Sequence, residues 1–185
     1  PLNNRDNLII QNEEQEKKVG KSVINTILGK LEIFERKEIH ININNPLNNI
    51  SLNLKILNTE IIDDILHDYY PNYNQDLIAT LNGHILSKEL SLKDNNVQDN
   101  DIIYISNPLN LYLSFSDDNK FLITASMYQI FFNVFQRFIS KECPKIYKHR
   151  LSECYYNGII IDSFDIIANI GIKENDKILV VVGID

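Results

Sequence analysis

The sequence predicts an α+β protein made of two similar mixed sheets, each packed against one helix. Residues 81–83 (Leu-Asn-Gly) recur as 156–158 (Tyr-Asn-Gly), an offset of 75, which is 158 minus 83. The polar step at 97–101 recurs at 172–176 with the same offset. In each copy, two segments of alternating apolar residues precede a segment with helical spacing. Two independent landmarks that share one offset indicate an internal repeat.

The first copy predicts five strands and one helix. Alternating apolar residues predict a hairpin with strands at 39–43 and 50–56. Apolar side chains at helical spacing then predict a helix over 59–69, capped by Asn58 or Thr59. Three more strands follow, at 76–81, 84–86 and 101–105.

The second copy predicts the same order of elements. Its hairpin strands are predicted at 111–115 and 120–124. Residues 126–129 (Ser-Met-Tyr-Gln) have the pattern of a capping box and predict the start of a helix. The apolar residues of this helix lie between 130 and 139. Three closing strands are predicted at 153–157, 159–161 and 177–182.

These patterns divide the chain into three parts. Residues 1–37 are an N-terminal extension with a predicted helix near 12–29, which docks on the first copy or in a groove of a partner. Residues 38–106 are the first predicted domain and 110–185 the second. The connection contains Pro108 and is short, so we expect the two domains to hold a nearly fixed relative orientation.

The order strand, strand, helix, strand, short strand, strand is that of the β-grasp fold, and the motifs resemble those of the ubiquitin family. The Gly turn at 81–86 is similar to the family's apolar–x–Gly–x–x–Leu turn. Residues 90–94, followed by Val97, look like the loop before the family's last strand, and 164–167, followed by Ile172, repeat it. The resemblance implies two tandem ubiquitin-like domains, each with a mixed sheet wrapped on one helix.

The resemblance also implies a protein-binding patch, because the family binds partners through its third and fifth strands. Carried over by position, the patch falls on Thr80, Tyr104 and Ser106 in the first copy, and on Tyr155, Leu179 and Val181 in the second. The first set is rather polar and the second is apolar, with a tyrosine of the kind favoured at interfaces. These residues either bind an external protein or pack against the other domain.

Composition excludes several classes of partner. The net charge is −7 and the pI about 5.1, so the chain lacks the basic surface that nucleic acid or anionic lipid requires. No stretch reaches the roughly 20 apolar residues of a membrane span. The sequence therefore predicts a cytoplasmic protein, within a cytoskeletal or other large assembly, whose partners are proteins rather than nucleic acid, membrane or a small-molecule substrate.

No catalytic, cofactor or metal site is predicted. The four histidines and two cysteines do not have the spacing of a zinc site. Cys143 and Cys154 flank His149, and a Cys–His nucleophile pair is conceivable, but Cys154 belongs to a strand that points into a core. The Gly-Lys-Ser at 20–22 lacks the earlier glycine of a phosphate-binding loop, because position 15 is Gln15.

The leading functional hypothesis is a non-catalytic interaction or scaffold subunit of a larger complex. One alternative is the precursor of a ubiquitin-like modifier, although the chain ends Gly-Ile-Asp at 183–185 instead of Gly-Gly. Another is the regulatory arm of a larger enzyme. The chain begins with Pro1 instead of Met, so we expect it to be part of a longer or processed polypeptide, whose flanking sequence would decide between these alternatives.

Overall fold

The computed structural model describes residues 36–115, 119–142 and 152–182. The chain divides after Lys37, and the unit Glu38–Asp185 contains every described strand and helix. The helix predicted near 12–29 lies outside the described residues.

The first sheet contains strands β1 to β5 in the spatial order β2-β1-β5-β3-β4. The central pair β1 and β5 is parallel and the other pairs are antiparallel, so the sheet is mixed. One helix, α1, connects β2 to β3. In chain order the elements are β1 Glu38–Asn45, a 3₁₀ turn Pro46–Asn48, β2 Ile50–Leu57, α1 Ile62–Tyr69, β3 Ile78–Leu81, β4 His84–Ile85 and β5 Asp101–Ser106. We call this part the first lobe.

The second sheet has the same arrangement, β7-β6-β10-β8-β9, with a parallel central pair β6 and β10. Its elements are β6 Leu109–Ser114, β7 Lys120–Ala125, α2 Phe131–Glu142, β8 Ser152–Tyr156, β9 Ile159–Ile160, α3 Ile167–Ile170 and β10 Lys177–Val182. We call this part the second lobe. The expectation of an α+β chain with two mixed sheets is confirmed. Only Asn107 and Pro108 connect the lobes, because β6 begins at Leu109, one residue before the predicted boundary.

Each lobe has its own hydrophobic core between helix and sheet. In the first, Ile41 and Ile43 are 1% exposed, and Leu66 of α1 covers them with no exposed surface. In the second, Leu113 and Phe138 are buried in the same way. Burial of a large apolar side chain contributes about 1.5–3 kcal/mol, so the alternation of β1 and β6 suffices to orient both sheets.

The hairpins β3–β4 and β8–β9 turn through Asn-Gly pairs. Asn82 and Gly83 have φ of 50° and 77°, and Asn157 and Gly158 have φ of 51° and 79°. Two consecutive positive φ values define a type I′ turn, whose twist matches that of the flanking strands. The two turns are therefore equivalent in position and geometry.

The predicted start of the first helix is wrong. The helix begins at Ile62 instead of residue 59, and neither Asn58 nor Thr59 caps it, because its N-cap is Ile61 with no side-chain bond. Instead, the Ile62 and Asp63 amides donate to carbonyl oxygens of the loop before β5, at 3.3 and 3.0 Å. A backbone segment distant in sequence thus replaces the local cap.

The predicted capping box also lies in a different place. The Tyr128 amide donates to Ser126 Oγ at 3.2 Å, and the Ser126 amide donates to Gln129 Oε1 at 3.5 Å. These bonds close a turn that precedes α2. The first amide of the helix, that of Phe131, donates to the Asp165 carbonyl at 2.9 Å. The first helical amide therefore finds an equivalent backbone acceptor in the two lobes.

Candidate protein-interaction surface

The residues predicted as binding patches occupy equivalent positions on the two sheets. Thr80 pairs with Tyr104 on one side and Ile85 on the other, and Tyr155 pairs in the same way with Leu179 and Ile160. Alternation puts these residues on the sheet face opposite the core, because their neighbours are the buried ones: Ala79, Ile103, Ile105, Cys154, Ile178 and Val180. The offset of 75 residues therefore extends to the outer face of both sheets.

The outer face of the first sheet is covered by the second lobe. Thr80 has no exposed surface and Ser106 is 1% exposed, although both face away from their own core. Ser126, which precedes α2, is also fully buried. Its Oγ lies 3.2 Å from Thr80 Oγ1 and 2.9 Å from Ser106 Oγ. Thr80 and Ser106 therefore pack against the other domain, which was one of the two alternatives for the predicted patch. In this arrangement they have no exposed surface with which to bind an external protein.

Two tyrosines extend this contact between the lobes. The ring of Tyr104 lies against that of Tyr128, with centroids 4.9 Å apart and planes inclined by 31°. Burial raises the pKa of Tyr128, and a backbone hydrogen bond from Leu47 acts in the opposite direction. Tyr128 is half-buried and therefore stays neutral near pH 7. Tyr104 is half-buried and contributes to the junction as well as to the remaining surface.

The backbone of the first lobe meets the second lobe at the Gly83 turn. The Gly83 carbonyl accepts hydrogen bonds from the Ile130 amide at 3.1 Å and from Asn133 Nδ2 at 3.0 Å. A Cβ at position 83 would lie 2.2 Å from Ile130 Cγ1, which only glycine avoids. We call this whole contact the lobe junction; its residues are Thr80, Gly83, Tyr104, Ser106, Ser126, Tyr128, Ile130 and Asn133.

The equivalent face of the second sheet is open. Leu179 is 39% exposed, Val181 43% and Ile160 57%, and Tyr155 is partly exposed between them. Leu179, Tyr155 and Ile160 are direct cross-strand neighbours, which puts their side chains in contact distance of one another. We call these four residues the open patch. Sequence reasoning missed Ile160, because it considered only the third and fifth strands of each copy and Ile160 lies on the fourth, β9, opposite Tyr155.

The open patch carries little charge. The Tyr155 hydroxyl donates to Glu153 Oε2 at 2.6 Å. This hydrogen bond is the main reason that the pKa of Tyr155 is raised, so its ring remains neutral over the physiological range. Glu153 pairs with Val181 across the strands and supplies a carboxylate at the border. An apolar centre with a polar border is the usual composition of a protein-binding surface.

Of the conceivable Cys–His pair, the structure describes Cys154 alone. Cys154 is buried in β8, and burial raises its pKa to about 12, so at neutral pH it is a thiol and not a nucleophilic thiolate. The other members of the conceivable Cys–His pair, Cys143 and His149, lie outside the described residues. Within the part of the chain that the structure describes, no three His, Cys, Asp or Glu side chains are grouped as metal ligands.

Comparisons with known proteins identify no relative of this chain by sequence. No protein-family model matches the chain, and no curated protein is significantly similar in sequence. Among the helices in the described ranges, none is both long and apolar enough to cross a membrane.

Proposed function

We propose that both lobes are ubiquitin-like β-grasp domains and that the pair is a non-catalytic scaffold, which binds a protein partner through the open patch of the second lobe. The strand orders β2-β1-β5-β3-β4 and β7-β6-β10-β8-β9, each with a parallel central pair, support the domain assignment. The partner belongs to a larger cytoplasmic complex. A buried, unpaired Cys154 suits such a reducing compartment.

The observation that carries the proposal is the difference between the two equivalent faces. The first face is occupied by the second lobe, whereas the second face presents Tyr155, Ile160, Leu179 and Val181 to solvent. When a partner removes apolar side chains from water, each Å² of apolar surface that is buried stabilises the complex by about 25 cal/mol. Adjacent apolar side chains exposed in this way typically mark an interaction site.

The junction supports a rigid scaffold. Three hydroxyls are buried together at 2.9 and 3.2 Å, and the connection has only two residues. Separating the lobes would expose these groups and the Gly83–Ile130 contact together. A partner bound to the second lobe is therefore held in a fixed orientation to the first. Small-angle scattering of the unit should show one narrow distance distribution, and a broad one would contradict a rigid scaffold.

Substitution of the patch tests the proposal. Leu179→Asp places a charge at the centre of the open patch, and Ile102→Asp places the same charge on β5, at a residue that is 40% exposed compared with 39% for Leu179. The two variants should lose similar free energies of unfolding in urea, because the two sites are equally exposed and both lie in strands.

The readout is affinity purification of each variant from its native cells with quantification of the co-purifying chains. We expect the wild type and Ile102→Asp to retain a common set of partners, and Leu179→Asp to lose at least one of them by roughly tenfold or more. An unchanged set of partners with Leu179→Asp would refute the assignment of the open patch.

A further inference from the structure

The lobe junction is a contact between two kinds of surface, and each kind occurs twice in the chain. One is the outer sheet face with its Asn-Gly turn, and the other is the segment that enters the helix. Inside the chain, the first sheet face receives the second entry segment. The second sheet face and the first entry segment remain exposed, as Leu179 at 39% and Ile61 at 38% show.

Ile61 is the structural equivalent of Ile130. Each immediately precedes its helix, and each forms an isolated bridge to the loop before the last strand, with Ser91 and Ile166 respectively. Ile130 covers the Gly83 turn at the junction. Ile61 has a large exposed side chain at the same place on the first lobe, outside any such contact with a glycine turn among the described residues.

Gly158 is the equivalent of Gly83, but no described side chain packs on it. Both glycines have nearly the same φ, +77° and +79°. A Cβ at Gly158 would meet no atom of the described residues within 4 Å, whereas at Gly83 it would overlap Ile130. The second turn is thus a free copy of the surface on which an isoleucine packs in the first.

The side chains around the two free surfaces also suit each other. At the junction, Ser126 lies between Thr80 and Ser106. The equivalent of Ser126 is Leu57, because the Glu60 amide donates to the Leu57 carbonyl at 3.0 Å just as the Gln129 amide donates to that of Ser126 at 3.1 Å.

The residues that Leu57 would meet are Tyr155 and Val181, the equivalents of Thr80 and Ser106. At the lobe junction a hydroxyl lies between two hydroxyls, whereas in the equivalent pair of free surfaces an apolar residue would lie between two largely apolar ones. The two free surfaces therefore match each other in polarity, as a contact between them requires.

From this correspondence we propose that the open patch and the Gly158 turn receive the entry segment of a second copy of this chain, with Ile61 on Gly158 and Leu57 between Tyr155 and Val181. The inference rests on the proposed function and names the partner of its patch. Each copy has one open patch and one free entry segment, so the contact is head-to-tail. Copies assemble into a ring if the rotation closes and into a filament if it does not.

At one position of the entry segment the replacement removes a hydrogen-bond donor, which predicts a weak contact. Asn133 donates its amide to the Gly83 carbonyl at 3.0 Å. Its equivalent is Asp64, which is exposed and offers a carboxylate to the Gly158 carbonyl. Since a carboxylate cannot donate, Asp64→Asn should strengthen self-association by roughly threefold to tenfold. Asp76→Asn, which removes the same charge outside both surfaces, should not.

Sedimentation velocity of the full chain over a wide concentration range tests the inference. We expect the mean mass of the wild type to rise with concentration, and Ile61→Lys and Leu179→Asp each to remain monomeric. Leu122→Lys, at a residue that is 60% exposed on β7 and outside both surfaces, should associate like the wild type. An equimolar mixture of Ile61→Lys and Leu179→Asp should form a dimer and nothing larger, because one intact patch meets one intact entry segment.

The other outcomes overturn the inference. A wild type that is monomeric at every concentration excludes self-association, and Ile61→Lys that associates normally shows a patch-to-patch dimer. A mixture without a dimer excludes the head-to-tail contact. Ile61→Lys leaves the open patch intact. If Ile61→Lys captures a different protein that Leu179→Asp loses, that protein is the occupant of the patch. The proposed function would then stand, and the second copy would be excluded as the occupant.

Discussion

Replacement of Gly83 by alanine should destabilise the protein by more than its backbone conformation alone requires. Gly83 has a φ of +77°, where alanine is strained by roughly 1–2 kcal/mol. The new Cβ would also lie 2.2 Å from Ile130 Cγ1 and 2.6 Å from Ile130 Cδ1. Overpacking of this kind typically costs about 1–3 kcal/mol more. The expected total is therefore roughly 2–5 kcal/mol.

The protein contains a matched control for the backbone contribution. Gly158 is in the same type of turn with a φ of +79°, but its Cβ would meet no described atom within 4 Å. Gly158→Ala should therefore lose only the roughly 1–2 kcal/mol of left-handed strain. The difference between the two variants measures the steric overlap at the lobe junction.

A third variant assigns that overlap to one side chain. Ile130→Ala removes Cγ1 and Cδ1 and leaves Cβ, which is 3.2 Å from the position that the new methyl group would take. The double variant Gly83→Ala with Ile130→Ala should therefore recover roughly 1–3 kcal/mol relative to the sum of the single variants. This coupling is expected only if residue 83 touches Ile130.

Urea unfolding followed by far-UV circular dichroism measures all four free energies, with the midpoint and slope fitted for each variant. The protein is kept dilute so that only intrachain contacts contribute. Equal losses for Gly83→Ala and Gly158→Ala would refute the close approach of the lobes. Absence of coupling with Ile130→Ala would refute its assignment to that side chain.

Two further predictions concern titratable groups. In a Cys143→Ser variant, Cys154 should react with a thiol reagent about a thousandfold more slowly in the native protein than in the urea-unfolded protein. The reason is that burial raises the pKa of Cys154 from 9.0 to about 12. Native and unfolded rates within about tenfold of each other would contradict this. The Tyr156 hydroxyl and the Lys173 amide donate to Asp176 and hold its pKa below 3.8, so its contribution to stability is present above that pH and is lost as pH falls through the lower folded value. Asp176→Asn should therefore reduce the loss of urea resistance between about pH 4 and pH 2, and an unchanged loss would exclude this carboxylate as its source.

The repeat and most strands could be predicted because their signals are local. Alternation placed the buried residues of β1 and β6, and Asn-Gly placed both turns. The offset of 75 holds from β3 onwards but is 70 between β1 and β6, since Ile102 pairs with Asn42 and Lys177 pairs with Tyr112. The extra length lies mainly in the helical region, where α2 has 12 residues and α1 has 8. A single offset therefore does not align the whole repeat.

The helix caps and the junction could not be predicted in the same way. The amide of Ile62 is satisfied by Leu90, 28 positions away, so no local side chain was needed as a cap. Thr80 and Ser106 bury their hydroxyls only because Ser126 provides a partner across the lobes. The sequence left binding to an external protein and packing against the other domain both open for these two residues, and only the tertiary contact shows their burial.

If the open patch binds a separate chain, as we propose, the different polarity of the two equivalent faces follows from the entropy that each contact must offset. The lobes are joined by two residues, so the junction is intramolecular and its effective concentration is high. A cluster of hydroxyls such as Ser126 with Ser106 gains little net free energy from burial, but under this constraint it suffices to fix geometry. A contact with a separate chain must also offset about 4–15 kcal/mol of lost translational and rotational freedom. It therefore needs apolar burial, and Leu179 and Val181 supply this where the first face has Tyr104 and Ser106.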